Sequence, residues 1–250
     1  MASVKSILNC VGVDTSGDVS ILFHGFGFAR QRVPTDPDAS VTAEVSLLQQ
    51  VRDVQGEHIH LNVIRVGFDA IPPASLGTAE EKLDYAIYKI RNVYRQVSLG
   101  VGRVEHYVIT AGEADGADDL GSEDEADELS DDWTVPGNGI DVFVVRNISD
   151  SDFVGISPID GSCDKDSKDD GLIGGEIGRG FDAVARTFAH EVGHFLGLSH
   201  NHGDDCPTST AGQNNLMAQT RCAISVRDSV LLTGGQGNTM HDHCSMRAAC

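Results

Sequence analysis

No stretch of the 250-residue chain approaches the roughly 18–20 consecutive apolar residues that span a bilayer, so the sequence contains no transmembrane helix. Basic residues are scarce: 18 Lys and Arg stand against 38 Asp and Glu, giving a formal charge of −20. So acidic a surface repels phosphate backbones and anionic membranes, which argues against nucleic acid and membranes as partners. There is no Cys-x-x-Cys pair, which argues against a ribbon-type structural zinc site. There is no internal repeat, and Met1 to Val13 lacks the charged-then-apolar pattern of a signal peptide. A content of 40% hydrophobic and 22% charged residues is ordinary for a globular protein and excludes wholesale disorder, collagen and coiled coil. At this length the chain can bury one large core, or one core split by a cleft.

Six cysteines are present: Cys10, Cys163, Cys206, Cys222, Cys244 and Cys250. An even count beside Asp-rich loops fits a secreted, oxidised protein; six free thiols in a cytosolic protein are the alternative. Either a signal was removed and a start Met added, the favoured reading, or the chain is not secreted by that route.

Hydrophobic periodicity gives the element order. Val19 to Phe28 and Ile59 to Phe68 read as strands, with a turn at 34–38 between them. Residues 41–54 fit strand and helix equally. Thr78 to Val97 is the clearest amphipathic helix, with Leu83, Ile87, Ile90, Val93, Tyr94 and Val97 on one face and a Thr78–Glu81 capping box at its start. Val104 to Thr110, Ile140 to Val145, Phe153 to Ile159 and Leu172 to Ile177 read as strands; Pro158 suits the third of these to a sheet edge. Residues 113–132 hold 11 acidic side chains and no basic one, the pattern of a solvated, mobile loop or a calcium site. Phe181 to Leu196 is a second helix, and a short helix is expected around Ile224 to Leu232. The strand–helix–strand unit 59–68, 78–97, 104–110 is a βαβ crossover, hence a largely parallel sheet.

The second helix carries His190-Glu191-Val192-Gly193-His194-Phe195-Leu196-Gly197-Leu198-Ser199-His200. His190 and His194 lie one turn apart on one face, so both imidazoles can reach one Zn²⁺. Glu191 projects beside the metal and is placed to take a proton from water. Gly197 can turn the chain so that His200 returns as a third ligand. Three neutral imidazoles leave a fourth position open, the catalytic arrangement and not the structural one. The five fixed residues would occur by chance at roughly 10⁻⁴ per chain of this composition, so the motif outweighs a buried helix with two core histidines.

The motif HExxHxxGxxH resembles that of the metzincin zinc peptidases. The resemblance covers about residues 57–240 and implies a secreted zinc endopeptidase in which Glu191 activates a zinc-bound water. It implies an α/β (α+β) fold: a twisted, mostly parallel sheet with an antiparallel edge strand, a backing helix and an active-site helix. A loop-rich C-terminal subdomain with a short helix follows. By the resemblance Met217, in Asn214-Asn215-Leu216-Met217, is the Met-turn residue beneath the metal; by composition alone it is a core methionine. Arg186-Thr187-Phe188-Ala189, Gly203-Asp204-Asp205-Cys206, Cys222 and Leu232-Thr233-Gly234-Gly235-Gln236 resemble the pappalysins. Ala218-Gln219 stand where that subfamily has Asp-Tyr, so no tyrosine is available at the metal, and Ser199-His200 is as much matrixin-like. The substrate is expected to lie extended along the edge strand 153–159.

Cys206 and Cys222 flank Met217 and could clamp it, a loop worth about 3 kcal/mol in the chain-entropy description. Asn9-Cys10-Val11-Gly12 is faintly like a matrixin cysteine switch; a disulfide partner is the plainer role. Asp160, Asp164, Asp166, Asp169 and Asp170 have the donor density calcium needs, and are either a Ca²⁺ site or a solvated loop. His202, His241 and His243 are read as exposed loop histidines or as ligands of a second zinc, and His24, His58, His60 and His106 as structural. The domain reading is an N-terminal extension, 1–56, and a catalytic domain, 57–250, divided at about residue 197. The partners expected are a protein or peptide substrate, with the enzyme monomeric. Two other classes stay open: a non-catalytic, calcium-dependent adhesion domain on the same scaffold, which has no need of Glu191, and a zinc exopeptidase, which needs a cleft closed at one end.

Overall fold

The computed structural model describes residues 52–149, 153–165, 169–203 and 205–250, together with the backbone of 31–34 and 42–45. The expected strand Val19 to Phe28, His24, the switch segment around Cys10 and Asp166 lie outside the described residues.

Ahead of the main sheet, β1 (Gln31–Pro34) and β2 (Thr42–Val45) pair antiparallel. The main sheet has β3 (His58–Val66), β4 (Gly100–Ile109), β6 (Ile140–Val145) and β8 (Gly171–Glu176), in spatial order β4-β3-β6-β8 and parallel throughout. The expected edge strand is shortened to one antiparallel bridge: Ile156 N–H donates to Ile173 O at 3.1 Å and Ile173 N–H to Ile156 O at 2.8 Å. Helix α1 (Pro73–Tyr94) makes the crossover from β3 to β4. It begins at Pro73 and not at Thr78, because Pro73 at the first helical position already has the required φ and no N–H to satisfy. Thr78 and Glu81 are therefore inside the helix. A left-handed Ser98, φ 62°, ends the turn that follows, and Gly100 opens β4.

Side chains alternate across the sheet as period-two geometry requires. Leu61, Val63, Val142, Val144 and Leu172 face α1 (Leu83, Ile87, Ile90, Tyr94) and α3 (Phe181–Phe195), which carries the histidine motif. Ile64, Val66, Phe143, Val145 and Ile173 face the other way, onto α2 (Glu123–Asp132). That helix corrects the mobile-loop expectation for 113–132. Ser122 caps it by accepting from Glu125 N–H at 3.2 Å, and three acids in its first turn meet the positive end of the helix dipole. Ala126 and Leu129 are buried on the sheet. Its N-terminal approach is a two-stranded parallel pair, β5 (Asp119–Leu120) with β7 (Asn147–Ile148).

Residues 52–56 are built into this body. Val54 is buried, and Asp53 accepts from the buried Arg91 of α1 at 2.8 Å. Arg91 also donates to the carbonyls of Val101 and Gly102, fastening α1 to β4.

Beyond α3 the chain is mostly irregular, with α4 (Thr210–Gln213) and α5 (Gly234–His241). The helix expected at 224–232 is not there. Leu231 instead pairs with Asn214 and Leu216, and the carbonyl of Ser229 is taken by Arg186. The helix forms later, where Thr233 and Gln236 make a complete capping box. Disulfides Cys163–Cys244 and Cys206–Cys222 tie this region together, and Cys250 is also disulfide-bonded.

Candidate metal centre and active site

Helix α3 is amphipathic and short of β-branched residues, and it buries nearly its whole length against β8 and α1. Its C-terminal turn is where the chemistry sits. His194 O receives the Asp160 and Gly197 N–H groups at 3.1 and 2.8 Å, and Phe195 O receives Gly161 N–H at 2.9 Å. Gly197 has φ 91°, the left-handed turn expected of it, and the chain comes back to place His200 opposite the helix.

The three imidazoles converge. His190 Nε2 and His194 Nε2 are 3.0 Å apart, and each is 3.3 Å from His200 Nε2. Ligands about 2.05 Å from one tetrahedral Zn²⁺ stand about 3.3 Å from each other, so this triangle has the size of three corners of a zinc site. The protonation pattern also fits. His190 Nδ1 lies 2.7 Å from Leu216 O, and His194 Nδ1 lies 2.6 Å from Leu198 O. A carbonyl only accepts, so each Nδ1 carries the hydrogen and each Nε2 offers its lone pair inward. Burial, the first cause, and the neighbouring imidazoles hold His190 well below its ordinary pKa and bring His194 down to about 4, so both stay neutral, as ligands must. Zinc is therefore the metal this donor set suits.

Glu191 is buried beside the triangle. Burial pushes its carboxyl up to about 8, against the opposing charge of Arg186. The segment carrying Gly155 lies directly on it: a Cβ at Gly155 would come within 2.8 Å of Glu191 Cγ and 2.7 Å of Thr187 Cγ2. A side chain at position 155 would thus push into the acid. The same logic holds for Gly193, where a Cβ would stand 2.9 Å from Met217 Sδ. The fully buried Met217 packs against α3 between the two histidines, and its own carbonyl accepts from Asn201 N–H at 3.0 Å.

Cys206 and Cys222 are joined and bracket the Met217 segment. Gln219 stands near His200, its Nε2 3.5 Å from Nδ1, and accepts from Arg221 Nε at 2.7 Å. The Asp-rich loop does not gather its carboxylates: among the described residues no three of Asp160, Asp164, Asp169 and Asp170 bring ligand atoms together. Asp170 is instead buried, accepting from Thr134 Oγ1 at 3.0 Å, and Lys165 from the same loop reaches Asp141 at 2.8 Å. The loop thus brings its own cation. The expected exposed histidines divide. His202 is exposed, but His243 is buried with Nε2 3.0 Å from Gly161 O, and His241 lies 2.6 Å from Glu57. His58 and His60 do share a face, with ring centroids 5.0 Å apart.

Periodicity alone could not find Gly155, Leu216 or the role of Arg186, because each reaches the site through contacts distant in sequence, nor Leu198, which acts on the nearby His194 through its backbone carbonyl. Arg186 was visible only in a run shared with a resembling family.

The family described as Metallo-peptidase family M12B Reprolysin-like matches residues 82–201, a span that includes the whole histidine motif. Among solved structures, the chain is similar to archaemetzincin from Methanopyrus kandleri, at 14% identity and TM-score 0.44, over 73% of this chain and 94% of that one. It is also similar to metalloproteinase-II from Bacteroides fragilis, at 12% identity and TM-score 0.47, over 94% of this chain but 60% of the longer one. Comparison with curated proteins by sequence finds no match.

Proposed function

We infer that this chain, a metzincin-like zinc metalloprotease, is a secreted endopeptidase with Glu191 as its general base. What carries the reading is one conjunction: three inward Nε2 atoms 3.0–3.3 Å apart, and a buried acid on the very next residue after the first of them. His190, His194 and His200 would hold the zinc, which would supply Lewis acidity toward the scissile carbonyl and toward water. Glu191 accepts a proton of the attacking water as the new C–O bond forms and passes it to the amide nitrogen as the C–N bond breaks. Burial raises this carboxyl above its ordinary range in the metal-free protein, which favours its holding the proton between the two transfers.

The substrate lies extended along residues 153–159, whose inner edge is bridged to Ile173, and adds a strand on the outer side. Met217 is the Met-turn residue; its burial against Gly193 supports this. Residues 57–197 form the upper and 198–250 the lower wall of the cleft. Secretion is supported by the cysteines, none of which is free among the described residues. The enzyme acts as a monomer on protein or peptide substrates, with its acidic surface unsuited to nucleic acid.

The test is cleavage of an unfolded protein by the purified chain beside Glu191→Ala. Internal cuts by the parent, silenced by a chelator, and none by a variant that still binds zinc are the expected results. Equal cleavage by both would assign the activity to a contaminant and sink the mechanism, and trimming from one terminus alone would make the enzyme an exopeptidase.

A further inference from the structure

One turn before His190, on the same face of α3, the buried Arg186 spends its guanidinium on the segment that follows the third histidine. Nε donates to Ser229 O at 3.0 Å, Nη1 to Thr220 Oγ1 at 3.3 Å, and Nη2 to Leu216 O at 3.0 Å and to Ala218 O. Leu216 O is also the acceptor that fixes His190 Nδ1, at 2.7 Å. One carbonyl with two lone pairs is thus shared by a zinc-motif imidazole and an arginine four residues earlier. The segment 216–220 has little regular structure to hold it: it is a turn and one 3₁₀ turn, Thr220–Cys222. A planar fork with five fixed donors can set such a segment in place where a flexible ammonium cannot.

We propose that Arg186 is a positioning residue of the metal centre, holding the Leu216 carbonyl against His190 Nδ1 so that Nε2 stays unprotonated and aimed inward. It touches neither metal nor substrate. Its effect passes through Leu216, and the inference rests on the zinc reading of the three histidines but not on endopeptidase activity.

The experiment measures zinc affinity by competition with a chromophoric chelator, together with the visible spectrum of the Co²⁺-loaded chain, for the parent, Arg186→Lys and Arg186→Ala. Arg91→Lys serves as control, because Arg91 is an equally buried arginine that fastens α1 to β4 away from the histidines. Loss of a partner that orients a ligand weakens metal binding by about 10–100-fold, so Arg186→Ala is expected toward the upper end and Arg186→Lys near the lower. Both should alter the Co²⁺ spectrum, and millimolar methylguanidinium should restore part of the affinity of Arg186→Ala. Arg91→Lys should lower the melting temperature and leave zinc affinity unchanged. Unchanged zinc affinity in a folded Arg186→Lys overturns the proposal. So does equal loss in Arg91→Lys, or failure of Arg186→Lys to fold, since either makes Arg186 part of the scaffold only.

Discussion

Gly155→Ala adds one methyl group at the point where the edge segment crosses the active-site helix. The φ of Gly155 lies outside the left-handed region, so alanine meets no backbone penalty there and any effect is steric. The new Cβ would stand 2.7 Å from Thr187 Cγ2, 2.8 Å from Glu191 Cγ and 2.9 Å from Ile173 O. Carbon atoms rest about 3.5–4.0 Å apart, so the overlap to be relieved is about 1 Å. Thr187 and Glu191 are both buried in the packed face of α3 and have little room to yield. The segment 154–156 must therefore lift, straining the pair of bonds between Ile156 and Ile173, or Glu191 must swing. Overpacking of this kind costs about 1–3 kcal/mol of stability. A misplacement of about 1 Å at a reacting group costs about 100-fold in rate. The assay is kcat/KM on an unfolded protein substrate, with zinc content and Tm recorded on the same samples. The expected result is a loss of about 100-fold with zinc retained. Parent-like kcat/KM and Tm would falsify the idea that Gly155 exists to let the edge segment lie on Glu191.

Burial and the disulfides give two further outcomes. Burial raises the Glu191 carboxyl from its ordinary 4.5 to about 8, so in the metal-free protein its contribution to stability is complete below pH 4.5 and is lost as pH rises through 8. His60 and His194, lowered to about 4 chiefly by burial, act oppositely, but their contribution is complete above about pH 6.5. Melting of the metal-free chain at pH 6.5 and 8.5 therefore isolates the glutamate: the parent should lose stability over that interval and Glu191→Gln should lose less, and parallel changes in the two would refute the assignment. Paired replacement of Cys163 and Cys244 by serine opens a loop of sequence separation 81. The chain-entropy description puts that loss at about 4.5 kcal/mol, against about 3 kcal/mol for the 206–222 bridge, so chemical denaturation should find the 163–244 variant the less stable of the two.

The parts of the molecule legible in sequence are those where local periodicity and local function coincide. The apolar faces of α1 and α3 repeat every three to four residues, the continuous run Ile140 to Val145 is buried on both sides, and the histidine motif is compressed into eleven residues of one helix and its exit turn. Helix α2 is hidden in the sequence because a run of acids has the pattern of solvated chain, although Ser122 and Glu125 form a capping pattern and Ala126 and Leu129 an apolar face. The apolar residues of 224–232 misled in the opposite direction. Val230 and Leu232 pack on the core from an irregular chain, and its carbonyls are satisfied from α3 and from across the turn, so no helix is needed.

That last point bears on how the metal site is built. Two of the three histidines come from a helix, but what fixes their tautomers comes from irregular chain: Leu198 O from the exit turn for His194 and Leu216 O for His190. A loop has no ladder of its own to resist displacement, and a ligand aimed by a loop is only as well placed as the loop is pinned. In this protein the pins are covalent at Cys206–Cys222, steric at Met217 against Gly193, and hydrogen-bonded at Arg186, and all three converge on residues 216–222. A perturbation of any one should therefore be felt first in the geometry of the three imidazoles, and then in the sheet, whose inner face shares one buried cluster with α3, Leu216 and Met217.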